Sequence, residues 1–142
     1  MSKALTPQQL AQSGSEDAHQ MALFAQAALH YSQYPQLKWM HAIPNGGSRH
    51  LHEAVKLKAT GLRSGVWDIF LPTLGCNLSL DRVYHGLYIE MKKPDKVKAK
   101  NGGLTDEQIE FMTYAVVAGY KCVVAYSWEQ AWDAIVKYLN GE

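Results

Sequence analysis

The sequence predicts a single α/β domain in which a mixed sheet is covered by helices. Three observations lead there. Apolar stretches of helical period, opened by capping residues, alternate with short apolar runs bounded by Gly and Pro. Read along the chain, the order is α-β-β-β-α-β-α, which packs as a sheet under helices. The 142 residues, 47% hydrophobic and 19% charged, can bury a core of their own.

The first dozen residues are polar, so residues 1–12 are expected to be a flexible start and residues 13–142 the domain. Ser13-Gly14-Ser15-Glu16 reads as a helix opening, Ser13 capping and Glu16 reaching back. The helix runs from Glu16 to about Tyr34, and Pro35 ends it. Leu37 to Ile43 suits a first strand, closed by the turn signal Pro44-Asn45-Gly46-Gly47. Residues 48–60 allow a short helix, which Gly61 and Gly65 break. Val66 to Leu71, between Gly65 and Pro72, suits a second strand. Asp81 to Gly86 is turn-like, and Leu87 to Lys92 is a third strand. Lys93 to Gly103 reads as a mobile basic loop. Thr105-Asp106-Glu107-Gln108 repeats the cap pattern and opens a helix through Ala118, stopped by Gly119. Lys121 to Tyr126 is a buried strand, and Ser127 caps a last helix from Trp128 to Leu139.

Composition excludes several classes. No run approaches the ~18 apolar residues of a membrane span, and Met1 to Gln12 lacks the pattern of a signal peptide. Cys76 and Cys122 supply neither a disulfide framework nor a four-ligand zinc site, which suits a reducing intracellular setting. Net charge is only +1, but residues 49–100 carry ten bases against five acids and residues 101–142 two against six. A basic middle suits an anionic partner such as a phosphate backbone, and equally a solvated Lys-rich loop.

One constellation could carry chemistry. Asp68 interrupts the apolar run of the second strand, and Glu90 and Lys92 lie in the third. Alternation puts Tyr88, Glu90 and Lys92 on one face and Leu87, Ile89 and Met91 on the other. If the two strands pair as a wide hairpin, Asp68 and Glu90 point into the same space. Carboxylates converging in a half-buried place repel unless a cation neutralises them, and Mg²⁺ with oxygen ligands is a natural choice. Lys92 beside them can position a water or stabilise transition-state charge. The plainer alternative is an exposed Glu90–Lys92 pair on an edge strand, worth ~0.2–1 kcal/mol. Acids within otherwise buried strands argue against it, because they are costly unless paired or metal-bound.

Ser64-Gly65-Val66-Trp67-Asp68-Ile69, Tyr88-Ile89-Glu90-Met91-Lys92 and Leu104-Thr105-Asp106-Glu107-Gln108, in this order, resemble the virus-type replication-repair nuclease (VRR-NUC) domain of the PD-(D/E)XK restriction-endonuclease-like superfamily. His41-Ala42-Ile43-Pro44-Asn45-Gly46-Gly47 and the strand entry at Gly119-Tyr120 extend the likeness, which spans about residues 16–139. Trp67 departs from it, standing where many members have proline.

The resemblance implies a restriction-endonuclease-like αβββαβ core, a mixed central sheet flanked by helices. It implies that Asp68, Glu90 and the carbonyl of Met91 bind Mg²⁺ or Mn²⁺, that Lys92 is the catalytic lysine, and that no small-molecule cofactor is used. It maps a further metal-binding glutamate onto Glu16 and an active-site glutamine onto Gln108. Simple helix capping accounts for both of these positions as well. The activity implied is a metal-dependent DNA endonuclease, acting on branched DNA in the manner of a Holliday-junction resolvase. Such a protein would work as a homodimer in the cytoplasm of a bacterial cell or a phage-infected host, with no membrane partner.

Further positions have less specific readings. Arg49, Lys56, Lys58 and Arg63, between the first two strands, and Lys93 in the basic loop are candidate DNA contacts. Lys96, Lys98 and Lys100 would extend that loop as an arm along a strand, or remain solvated. Asn45 to Arg49 suits a phosphate cradle or an ordinary turn. His50 and His52 lack a third metal ligand. Trp128, Trp132 and Tyr138 are core, or a dimer contact. Two rival functions stand beside the nuclease: a non-catalytic nucleic-acid-binding module on a nuclease-like fold, and an unrelated α/β interaction protein with a basic loop.

Overall fold

A computed structural model describes residues 3–44 and 50–142. Its elements are α1 (Pro7–Leu10), α2 (Glu16–Leu29), β1 (His41–Ala42), α3 (Leu51–Ala59), β2 (Ile69–Leu71), β3 (Gly75–Asn77), β4 (Arg82–Tyr84), β5 (Leu87–Met91), α4 (Asp106–Val117), β6 (Lys121–Ala125) and α5 (Trp128–Leu139). The main sheet has the order β1-β2-β5-β6. β1 and β5 each run antiparallel to β2, whereas β6 runs parallel to β5. The parallel pair follows from α4, which carries the chain back across the sheet between β5 and β6. The mixed α/β architecture expected from the sequence is the one found.

Alternation along the strands sorts the two faces. Ile69, Leu71, Leu87, Ile89 and Met91 are almost wholly buried on one face. α2 and α5 cover it with Ala22, Leu23, Ala27, Ala131, Ile135 and Tyr138. The alanines let both helix axes approach closely, and burying each large aliphatic side chain contributes about 1.5–3 kcal/mol. The other face carries Phe70 and Tyr88, half-buried and stacked at 4.5 Å, with Phe111 of α4 edge-on to Tyr88 at 5.0 Å. Asp68, Glu90 and Lys92 follow these aromatics on the same side. No described helix is long and apolar enough to cross a membrane.

Several local expectations are corrected. Residues 7–13, expected to be loose, are helical: Thr6 and Gln9 form a capping box around α1, and Leu10 and Ala11 pack against the core. Ser15 rather than Ser13 caps α2, accepting the Ala18 N–H at 3.1 Å, so Glu16 is the first helical residue and has no capping duty. α2 ends at Leu29, short of Tyr34. Leu37 to Trp39, read as strand, belongs to a 3₁₀ turn opened by Pro35, which leaves β1 only His41 and Ala42.

Arg82 to Tyr84, read as a turn, pairs with Gly75–Asn77 in a separate hairpin. That hairpin is anchored from outside: the Tyr138 hydroxyl donates to Thr73 O at 2.6 Å, and a Cβ at Gly75 would collide with the Tyr138 ring. The basic loop is structured, with 3₁₀ turns at Pro94–Lys98 and Lys100–Gly103. Left-handed backbone at Asn101 and Gly102 closes its tip, and the Tyr126 hydroxyl donates to Gly102 O at 2.8 Å. β6 lies at the sheet edge and is only half-buried before Ala125. Trp128 and Tyr138 are core residues, with Trp132 partly buried against them.

Candidate active site

β2 and β5 pair with Ile69 opposite Ile89, Phe70 opposite Tyr88 and Leu71 opposite Leu87. Continuing that register by one residue sets Asp68 opposite Glu90. The Asp68 N–H donates to Glu90 Oε2 at 3.2 Å, and the Met91 N–H donates to Asp68 Oδ2 at 3.0 Å. Each carboxylate is therefore held by the backbone of the other strand. Glu90 is 2% exposed and Lys92 8%.

Lys92 completes a closed group. Its Nζ lies 3.1 Å from Glu90 Oε1 and donates to Gln108 Oε1, also at 3.1 Å. Gln108 Nε2 donates in turn to Glu90 Oε1. The Gln108 side chain that meets Lys92 also caps α4, because the same Oε1 accepts the Thr105 N–H at 3.0 Å while Thr105 Oγ1 accepts the Gln108 N–H at 3.2 Å. The capping box thus fixes the glutamine that holds the lysine.

Two residues bring α4 to that position. The fully buried Trp67 donates its indole N–H to Gln108 O at 3.0 Å, tying the approach to β2 onto α4. Gly65, at φ +87°, runs so close to the Glu107 backbone that a Cβ there would meet it at 2.5 Å. Through its bond to Gln108 O, Trp67 braces the site.

These groups open into a cavity of about 450 Å³ that Glu16, Lys58, Asp68, Glu90, Lys92 and Gln108 line together. Burial, and then the Asp68 charge, push the Glu90 carboxyl up to about 7 against the pull of Lys92. Burial likewise raises Asp68, opposed by the Met91 N–H and Lys92, with the charge of Glu16 adding to the rise. Both acids resist ionising where they stand, which is the condition under which a bound cation is most stabilising. Among the described residues no three His, Cys, Asp or Glu side chains converge closely enough to hold a metal unaided. The donor set still fits a hard divalent ion, since Mg²⁺ is commonly held by one or two carboxylates with water completing its shell. In an extended strand the N–H and C=O of one residue face the same edge, so the carbonyl of Met91 faces the Asp68 strand along with its N–H.

The basic residues divide. Lys58 lines the cavity of Asp68 and Glu90. Arg63 lines a neighbouring apolar cavity, and Lys93 a separate hollow with Ser13, Gly14 and Ser15. Lys56 is exposed on α3 and reaches none of these. Arg49 and the suggested phosphate cradle at 45–49 lie outside the described residues. His50 and His52 belong to no cluster of ligands. Cys122 is half-buried, which pushes its thiol up to about 11, while Cys76 is free and exposed. The sequence reading missed Ser64 and Glu107 on the cavity wall and the bracing role of Trp67.

No protein-family model matches the chain, and no curated protein does. A solved structure of a VRR_NUC domain protein does match, at 24% identity and a TM-score of 0.62 over 90% of each chain. Identity at that level speaks for the fold. The chain has the fold of a VRR-NUC domain.

Proposed function

We propose that this protein is a metal-dependent DNA endonuclease that hydrolyses phosphodiester bonds at the Asp68–Glu90–Lys92 group. The observation that carries the reading is the pair of opposed carboxylates, raised in pKa and joined to a buried lysine in an open polar cavity. On the fold of a VRR_NUC domain protein, such a pair suits a nuclease better than a structural ion pair.

Asp68 and Glu90, with the Met91 carbonyl, would hold Mg²⁺ or Mn²⁺, and Glu16 would act from the cavity wall through water. The ion would supply Lewis-acid stabilisation of charge on the phosphate. Lys92 carries three N–H donors and spends two of them on Glu90 and Gln108. The third remains for the attacking water or a phosphate oxygen. Gln108 keeps that ammonium in place, and Lys58 draws the phosphate into the cavity. Water oxygen bonds to phosphorus as the bond to the 3′ oxygen breaks, giving the 5′-phosphate and 3′-hydroxyl ends that the superfamily resemblance implies. Branched DNA is the proposed substrate, cut by a homodimer whose two-fold symmetry would match paired cuts in a four-way junction. The reducing cytoplasm is the proposed setting.

The test uses end-labelled four-way junction, flap, duplex and single strand with Mg²⁺, Mn²⁺ or EDTA. Cutting with either metal and not with EDTA supports the nuclease, and symmetric paired nicks support the junction substrate. Binding without cutting under every metal would replace this reading with the non-catalytic nucleic-acid-binding module.

A further inference from the structure

Beside the catalytic cavity lies a second one of about 330 Å³ with the opposite chemistry. Ile43, Pro44, Leu57, Leu62 and Val66 give it apolar walls, and Arg63 stands among them. The two cavities share Leu62. On either side of it the chain alternates: Lys58, Ser64 and Gly65 face the catalytic cavity, whereas Leu57, Arg63 and Val66 face the apolar one. The end of α3 and the following loop therefore separate the two cavities.

That partition is fixed in place. The Leu62 N–H donates to Leu57 O at 2.9 Å, and the Thr60 hydroxyl donates to Lys56 O at 3.0 Å. Gly65 runs against Glu107, where a Cβ would not fit. On the far side, the Ile43 N–H donates to Asp68 O at 2.7 Å, so the opposite wall is tied to the residue that carries the catalytic aspartate.

A nucleotide presents the same two chemistries in the same succession, an anionic phosphate joined through sugar to a flat and largely apolar base. The volume reaches the ~300 Å³ lower range of small-molecule sites. Arg63 is exposed, donates from Nη1 to Leu62 O at 3.2 Å and pairs with no carboxylate among the described residues, so the faces of its guanidinium are left to stack on a base. Bases inside a duplex cannot enter such a cavity, because they are stacked and paired; an unpaired base can.

We propose that the apolar cavity receives one unstacked nucleobase of the strand whose phosphate lies in the catalytic cavity, so that the enzyme selects DNA with an unpaired nucleotide beside the bond it cuts. This rests on the nuclease reading and adds a base-binding subsite to it.

The test uses wild-type protein and a flap DNA whose branch fixes the register. An abasic site is walked one nucleotide at a time through the unpaired arm and the branch. Binding is followed by fluorescence anisotropy in EDTA and cleavage separately in Mg²⁺. Loss of the base at one position should weaken binding about tenfold, in the range of single-base contacts to single strands. Loss at distant positions, or anywhere in a matched duplex, should change little. 2-Aminopurine at the sensitive position should change in fluorescence on binding, and Leu57→Asp should remove that change. Metal-dependent cleavage with no sensitive position would overturn the base subsite and leave the nuclease standing. A sensitive position without cleavage under any metal would support the subsite and overturn the nuclease. Equal losses in flap and duplex would also overturn the subsite.

Discussion

Asp68 and Glu90 face each other across antiparallel strands, and each carboxylate accepts a backbone N–H of the other's strand, at 3.2 Å for Glu90 and 3.0 Å for Asp68. Backbone N–H groups thus help to hold both carboxylates in place. Asp68→Asn and Glu90→Gln keep size and remove charge. Each should lower single-turnover DNA hydrolysis by at least about 100-fold. Circular dichroism should show the fold retained in both.

Gln108 and Thr105 share one capping box and differ in what else they touch. Thr105→Ala removes a cap and should cost about 1 kcal/mol, lowering the melting temperature by roughly 3–5 °C. Its cleavage rate should stay near that of wild type, since alanine keeps the backbone N–H at position 105 that holds Gln108 Oε1. Gln108→Ala loses the cap partner and also releases Lys92 and Glu90. It should add a 10- to 100-fold loss in kcat, roughly that of other residues that orient a metal site. Kinetics and thermal melts on both variants separate the two roles.

Metal binding should depend on pH through Glu90. Burial and the Asp68 charge push its carboxyl up to about 7 in the fold against 4.5 as the ordinary value, so between these the folded chain should hold a proton that the unfolded chain has released. Stability of the metal-free protein should therefore fall as pH rises across that window, and the penalty should be complete above about pH 7. Mg²⁺ held by this carboxylate would compete with the same proton. Its affinity should rise with pH up to about 7 and then level off, with proton release on binding at pH 6 that fades by pH 8. Calorimetric titration in two buffers of different ionisation enthalpy reads both effects.

His19 and Trp128, 109 positions apart, join α2 to α5: the Trp128 N–H donates to His19 Nδ1 at 3.0 Å. The imidazole must accept at Nδ1, which sets its proton on Nε2. His19→Leu leaves a buried helix-end N–H without a partner. It should cost about 1–3 kcal/mol in urea unfolding. Cleavage by the folded fraction should not change, because His19 does not line the cavity of Asp68 and Glu90.

Much of the fold could be read locally. Trp128–Leu139 is the helix its apolar spacing and Ser127 indicated, and β5 follows its alternation. The Asp68–Glu90 juxtaposition was legible because alternation fixed the face and only an antiparallel pairing was needed. The β3–β4 hairpin was not legible, since three-residue strands show no period and this one is held by Tyr138 from a distant helix. The N-terminal helix had a visible signal in Thr6-Pro7-Gln8-Gln9, outweighed by the polarity around it. The bracing of Gln108 by Trp67 and the link from His19 to Trp128 cross 41 and 109 positions, and local pattern carries no trace of either.

The most direct measurement is the single-turnover cleavage rate of one end-labelled branched DNA against Mg²⁺ concentration, for wild type and Glu90→Gln side by side. A wild-type rate that saturates with Mg²⁺, vanishes in EDTA and is lost in the variant is the expected result. A rate that is indifferent to Mg²⁺, or equal in the two proteins, would contradict the assignment of hydrolysis to the Asp68–Glu90 pair.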